Sequence, residues 1–85
     1  MEKAIGRITH YFGHVGAAGV ALQEPLRVGD KLHIVGHTTD LTMTVDKMQI
    51  EHQDVAEAKP GDDVALHVPE RVREHDEVRK VVGEA

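Results

Sequence analysis

Three phrases punctuate this chain in the same way: Arg27-Val28-Gly29-Asp30-Lys31-Leu32, Lys59-Pro60-Gly61-Asp62-Asp63-Val64 and Arg73-Glu74-His75-Asp76-Glu77-Val78. Each reads as a turn that launches a strand. Gly supplies the positive φ that a tight reversal needs, Asp can bond its own backbone, and an alternating apolar run follows. Such grammar, repeated within 85 residues, restricts the chain to a small all-β architecture. The expected fold is a closed or partly open antiparallel β-barrel of about six strands. None of the phrases contains a reaction centre, so a docking surface is expected before a catalyst.

The length leaves room for one core, and a single domain is expected over 1–85, with the core in 3–82 and a frayed tail at 83–85. The hydrophobic share is 40%, with Tyr11 and Phe12 as the only aromatics, so packing must rest on aliphatic side chains. A net charge of −5 argues against a surface that attracts nucleic acid as a whole. The cluster Arg71, Arg73, Arg79 and Lys80 is interleaved with Glu70, Glu74 and Glu77, which reads as a self-compensating solvated face. Cysteine is absent, which removes disulfides and thiolate chemistry. No apolar run has the length of a membrane span, and the first residues do not read as a secretory signal. A cytoplasmic protein without membrane contact is the expectation.

Along the chain, Ile5 to Phe12 reads as a first strand and the small-residue run Val15 to Leu22 as a second, curved one. Leu32 and Ile34 alternate with Lys31 and His33; Leu41, Met43 and Val45 alternate with Thr42, Thr44 and Asp46. The next apolar pair, Met48 and Ile50, has the opposite parity, which predicts a β-bulge near Asp46-Lys47. Val55 to Ala58 is compatible with a helical turn or an extended loop. Further strands are expected around Val64 to Val68 and from Glu77 to Val82.

From Lys3 to Val82 the chain resembles the second, β-barrel domain of translational GTPases such as elongation factor Tu. The resemblance is carried by Leu26-Arg27-Val28-Gly29-Asp30-Lys31-Leu32-His33-Ile34-Val35-Gly36, by Thr44-Val45-Asp46-Lys47-Met48, and by Val55-Ala56-Glu57-Ala58-Lys59-Pro60-Gly61-Asp62-Asp63-Val64 through Val72-Arg73. Gln49, Ile50, Glu51 and His52 replace the family's usual residues at those positions, and His75 replaces a Gly, so a differently shaped third turn is expected. No phosphate-binding G-x-x-x-x-G-K-[ST] loop occurs, so the resemblance implies the barrel without the GTPase.

Seven histidines raise a metal site, and a hairpin could gather His33, His37 and Asp40; exposed histidines without metal are the expectation, and no cofactor is called for. The chain has neither Ser nor Cys, which weighs against nucleophilic catalysis. Glu51 and His52, as neighbours in a strand, should point to opposite faces and not cooperate. Tyr11-Phe12 beside Arg7, His10 and His14 offers a small stacking and charged surface for RNA; the plainer reading puts Phe12 in the core and Tyr11 on the rim.

The function expected from these residues and the resemblance is a non-enzymatic, translation-factor-like binding module that docks to a protein or ribonucleoprotein of the translation machinery. Its contact face would carry Thr42, Thr44, Gln49, Glu51 and His52, with Arg7, His10, Tyr11 and His14 beside it. A structural domain that homodimerises through an exposed edge at the Gly-Ala-rich segment 16–21 is the alternative, a monomer or weak homodimer being expected. A metal-dependent enzyme comes third.

Overall fold

The computed structural model describes residues 1–82; the expected frayed tail, 83–85, lies outside the described residues. Alternation of buried and exposed side chains along short β-prone runs builds ten strands and, among the described residues, no helix. They are β1 (Glu2–Phe12), β2 (Ala17–Leu22), β3 (Leu26–Arg27), β4 (Lys31–Val35), β5 (Asp40–Thr44), β6 (Met48–Ile50), β7 (Gln53–Val55), β8 (Glu57–Ala58), β9 (Asp63–His67) and β10 (Glu77–Val81). Eight form one antiparallel sheet in the order β5-β4-β10-β1-β2-β9-β6-β7, and β3 pairs with β8 apart from it. The all-β antiparallel class is as expected, while the closed or partly open barrel of about six strands is corrected to an eight-stranded sheet whose two ends, β5 and β7, are not joined. Val55 to Ala58 is extended, because Glu57 and Ala58 pair with Arg27 and Leu26.

One face of the sheet holds the core. Ile5, Ile8, Val20, Leu22, Leu32, Ile34, Leu66 and Val78 are buried there, joined by Leu26 and Ala58 from the β3–β8 pair and Val72 from the connection before β10. Each buried Val, Leu or Ile among them contributes about 1.5–3 kcal/mol by leaving water.

The three turn phrases fold alike. In each, the Asp carboxylate accepts the amide of the residue three positions earlier at 2.9 Å: Arg27 to Asp30, Lys59 to Asp62 and Arg73 to Asp76. The preceding residue has positive φ, 100° at Gly29, 91° at Gly61 and 74° at His75. The third turn therefore does not differ in shape, and the expectation raised by His75 is corrected. Each turn also trades two main-chain bonds with one buried residue on a distant segment. Gly29 donates to Val45 and Asp30 accepts from it, Gly61 and Asp62 do the same with Leu22, and His75 and Asp76 with Ile8. The turns thus tie strand starts to the core as well as reversing the chain.

The parity change at Asp46-Lys47 is not a bulge. Between β5 and β6 the chain leaves one end of the sheet and joins β9 near the other, so Val45 and Met48 are both buried on different sides of a crossing. The bulges lie in β1, between Ala4 and Gly6 against β10 and between Ile8 and His10 against β2. Segment 16–21 is not an exposed edge either, since β2 pairs with β1 on one side and β9 on the other.

Candidate functional site

Small residues on the outward face of the sheet leave a hollow. Ala17 pairs with His67, and Gly19 with Ala65, which also pairs with Gln49. Taller side chains rise around this floor from two hairpins and a crossing, giving an open cleft of about 520 Å³. Phe12, His14 and Val15 come from the β1–β2 hairpin, Lys47 from the crossing, Glu51 and His52 from the β6–β7 hairpin, and Asp63 and His67 from β9. Phe12 and Val15 are 38% and 61% exposed, an apolar rim beside the charged side chains of Lys47, Glu51 and Asp63. Two contacts fix the polar groups: Gln49 Nε2 donates to Asp54 Oδ1 at 2.8 Å, and His67 Nδ1 lies 3.1 Å from Asp46 Oδ1.

The β6–β7 turn is strained. Glu51 and His52 both have positive φ, 51° and 66°, in a two-residue connection between the paired Ile50 and Gln53. Turns of this kind select Asn and Gly, and left-handed backbone costs other residues roughly 1–2 kcal/mol each. Glu51 and His52 are therefore not strand neighbours on opposite faces, as expected from the sequence; the turn brings both to the cleft.

Of the residues expected to form one contact face, His14, Gln49, Glu51 and His52 share this cleft. Thr42 and Thr44 instead line a second hollow of about 260 Å³ with Met43, Asp46, His67 and Pro69, so His67 borders both. Arg7 donates to the His75 carbonyl at 3.3 Å, and His10 lies 3.4 Å from Glu74 with its ring edge-on to Phe12 at 4.4 Å. Tyr11 packs against the core while Phe12 faces out, which reverses the expected core and rim roles. The β1 bulge after Ile8 is the cause, because an added residue flips the side chains that follow. In the basic cluster, Arg79 pairs with Glu77 at 2.8 Å and Lys80 lies 3.6 Å from Asp30. Sequence reasoning missed Lys47, Asp63 and His67, which reach the cleft only through non-local pairing; the usable signal for the floor was the small-residue run in β2.

On the other side of the sheet order, His33 stands between Glu2 and Asp40, while His37 takes no part. Both imidazole nitrogens face carboxylates. The Asp40 bond, followed by the Glu2 bond, raises the His33 pKa, and His33 in turn lowers that of Glu2. With the ring interposed, the carboxylates do not converge on a common point. Among the described residues no group of three His, Cys, Asp or Glu is placed to hold a metal ion, and no helix is long and apolar enough to cross a membrane.

No family model matches the chain. A curated protein of Methanocaldococcus jannaschii, named as an uncharacterized protease, is 40% identical over 75 residues, 87% of this chain. The chain spans only 18% of that protein's length. Among solved structures, the C-terminal domain of a Geobacillus thermoleovorans protein assigned to the U32 peptidases matches with a TM-score of 0.87 and 22% identity, covering 94% of this chain and 93% of that domain. Its selenomethionine variant matches with the same TM-score, over 92% and 99%.

These findings overturn the resemblance to the second domain of translational GTPases, and with it the translation-factor function and the RNA-binding reading. Much of what carried it is the turn chemistry of Gly29-Asp30 and Gly61-Asp62, which different small β folds can share. The expectation of a non-enzymatic module is corrected as well, since the curated relative is named as an uncharacterized protease and the similar solved domain comes from a protein assigned to the U32 peptidases.

Proposed function

We propose that this chain is a protease-related β domain that works with a U32-type peptidase unit, within one polypeptide or docked to it. It contributes the cleft between the β1–β2 and β6–β7 hairpins to contact with that unit. The observation that carries this reading is the match at both ends of the scale. The chain and the Geobacillus domain cover each other almost completely, and a stretch of the Methanocaldococcus protease is 40% identical to it. The exposed Phe12 and Val15 beside Lys47, Glu51 and His52 supply the mix of apolar anchor and polar rim that a protein contact uses. We also infer that 3–82 form a single folding unit, supported by the pairing of β1 with β10, which joins the two ends of the described chain.

The test uses the Methanocaldococcus relative, intact and with the 75 aligned residues removed. The 85-residue chain is titrated into each by calorimetry, and turnover of fluorescein-labelled casein is followed in parallel. The expected result is binding to the shortened protein and a change in its casein turnover. If the chain neither binds nor alters turnover, the reading fails.

A further inference from the structure

We infer that the β5 end of the sheet is a binding edge for an extended polypeptide, which adds to it as a further strand through main-chain hydrogen bonds. This inference does not rest on the peptidase reading; it concerns a different surface and follows from the pairing alone.

Main-chain bonds observed at the two ends of the β4–β5 pair set its hydrogen-bonding phase. At the hairpin end the Gly36 amide donates to the Thr39 carbonyl, and at the other the Val45 amide donates to the Asp30 carbonyl. Register runs without a shift between them, from Val35 opposite Asp40 to Lys31 opposite Thr44. Antiparallel pairs alternate between bonded and non-bonded positions. Leu41 and Met43 therefore bond to β4, while Asp40, Thr42 and Thr44 turn their N–H and C=O groups away from it. Since β5 ends the sheet order, these main-chain groups are presented as an edge.

The edge has few of the features that normally blunt one: β5 carries no Pro, Lys or bulge, and it is five residues long. At the opposite end, β7 has three residues, and the side chain of Asp54 is held by Gln49. Against β5 lies the hollow of about 260 Å³ formed by Thr42, Met43, Thr44, Asp46, His67 and Pro69. A strand added there places alternate side chains toward that hollow, so main-chain bonds supply affinity and the hollow supplies selection. A second copy of this chain is the less fitting occupant, because each copy carries a net charge of −5 and repels its like. The occupant the charge favours is a basic extended segment, which the same net charge of −5 attracts.

The experiment follows amide hydrogen exchange by NMR in the full chain, with a synthetic alternating Thr-Val peptide flanked by lysines as probe. In the free protein the Thr42 and Thr44 amides should exchange rapidly while Leu41, Met43 and Val45 are protected. At about 90% saturation with peptide, Thr42 and Thr44 should slow roughly tenfold, the ratio of total to free protein. Thr42→Pro removes an outward amide without removing a β4–β5 bond, so it should keep the Leu41 and Met43 protection and lose the peptide effect. A peptide N-methylated on every residue has no donor on either edge and should fail to bind the unaltered protein, which keeps the test decisive if Thr42→Pro does not fold. Peptide binding that leaves Thr42 and Thr44 exchanging rapidly overturns the proposal. So does an absence of binding, or protection that rises with the concentration of the chain alone.

Discussion

His33 Nε2 lies 2.5 Å from Asp40 Oδ1, reaching diagonally from β4 to the end strand, β5. On its other side the ring meets Glu2, with Nδ1 2.9 Å from Oε2. Only the imidazolium can donate from both nitrogens at once. The clasp therefore joins the start of β1 to the β4–β5 hairpin in one protonation state of one side chain.

Its pH dependence follows from the two opposite shifts. The His33 pKa is raised from its ordinary 6.5, so its contribution is complete below that value and is lost as pH rises through the folded-state value. The Glu2 pKa is lowered from its ordinary 4.5, so its contribution is complete above that value and is lost as pH falls through the folded-state value. Both are in force between 4.5 and 6.5. Thermal melts at about pH 5.5 and about pH 8.5 should show a larger loss of Tm in the natural chain than in His33→Gln, the other histidines being common to both. Equal losses would show that the clasp does not contribute to stability.

The three matched turns predict unequal responses to equal-looking changes. A Cβ at Gly29 or Gly61 meets nothing within 4 Å, so Gly29→Ala and Gly61→Ala should cost only the left-handed backbone, about 1–2 kcal/mol. That corresponds to roughly 4–8 °C in Tm per kcal/mol for a domain of this size. His75 already bears this strain at φ 74°. His75→Gly should stabilise the fold by up to about 1 kcal/mol, part of the relief being offset by the freedom glycine has when unfolded. Denaturant melts of the three variants check the order, and a destabilised His75→Gly would refute it.

Gly36 is constrained by space. Its φ is not positive, yet a Cβ there would run into the Asp76 carboxylate. That carboxylate has little room to retreat, because Asp76 is buried and accepts the Arg73 amide. Gly36→Ala should therefore destabilise by about 1–3 kcal/mol, as overpacking does. In a double-mutant cycle Asp76→Ala should make the added methyl nearly free, at the expense of the turn. Additive costs in that cycle would place the clash elsewhere.

How much was legible follows from which relations are local. Alternation at Leu32, Ile34, Leu41 and Met43, and the Asp turns, are written within a few residues, and the all-β antiparallel reading rested on them. A parity change, by contrast, looks the same from a bulge and from a chain that changes neighbours. Asp46-Lys47 was therefore misread, and the β1 bulge that exchanges Tyr11 and Phe12 went unseen. In the cleft, His14, Gln49, Glu51 and His52 were legible as polar side chains, but Glu51 and His52 were read as strand neighbours and not as the turn they form. Lys47, Asp63 and His67 join them only because β9 pairs with both β2 and β6, a relation between distant segments that no window of sequence contains. Turn chemistry also explains the mistaken family, since Gly-Asp phrases report how a strand begins and not which fold it enters.

The strained turn at the cleft gives a test that separates stability from contact. Replacing Glu51 and His52 together by Asn and Gly supplies the residues that a doubly positive-φ connection prefers. Relief of the left-handed backbone should raise stability by roughly 1–2 kcal/mol after the unfolded-state freedom of glycine is counted. The same change removes two side chains from the cleft lining, so binding to the shortened Methanocaldococcus relative should weaken by about tenfold, or ~1.4 kcal/mol. A raised Tm with weakened binding fits a surface that keeps strain because its side chains are used. A raised Tm with unchanged binding would move the contact away from this cleft, and Phe12→Ala, at the opposite rim, would then be expected to leave binding unchanged too.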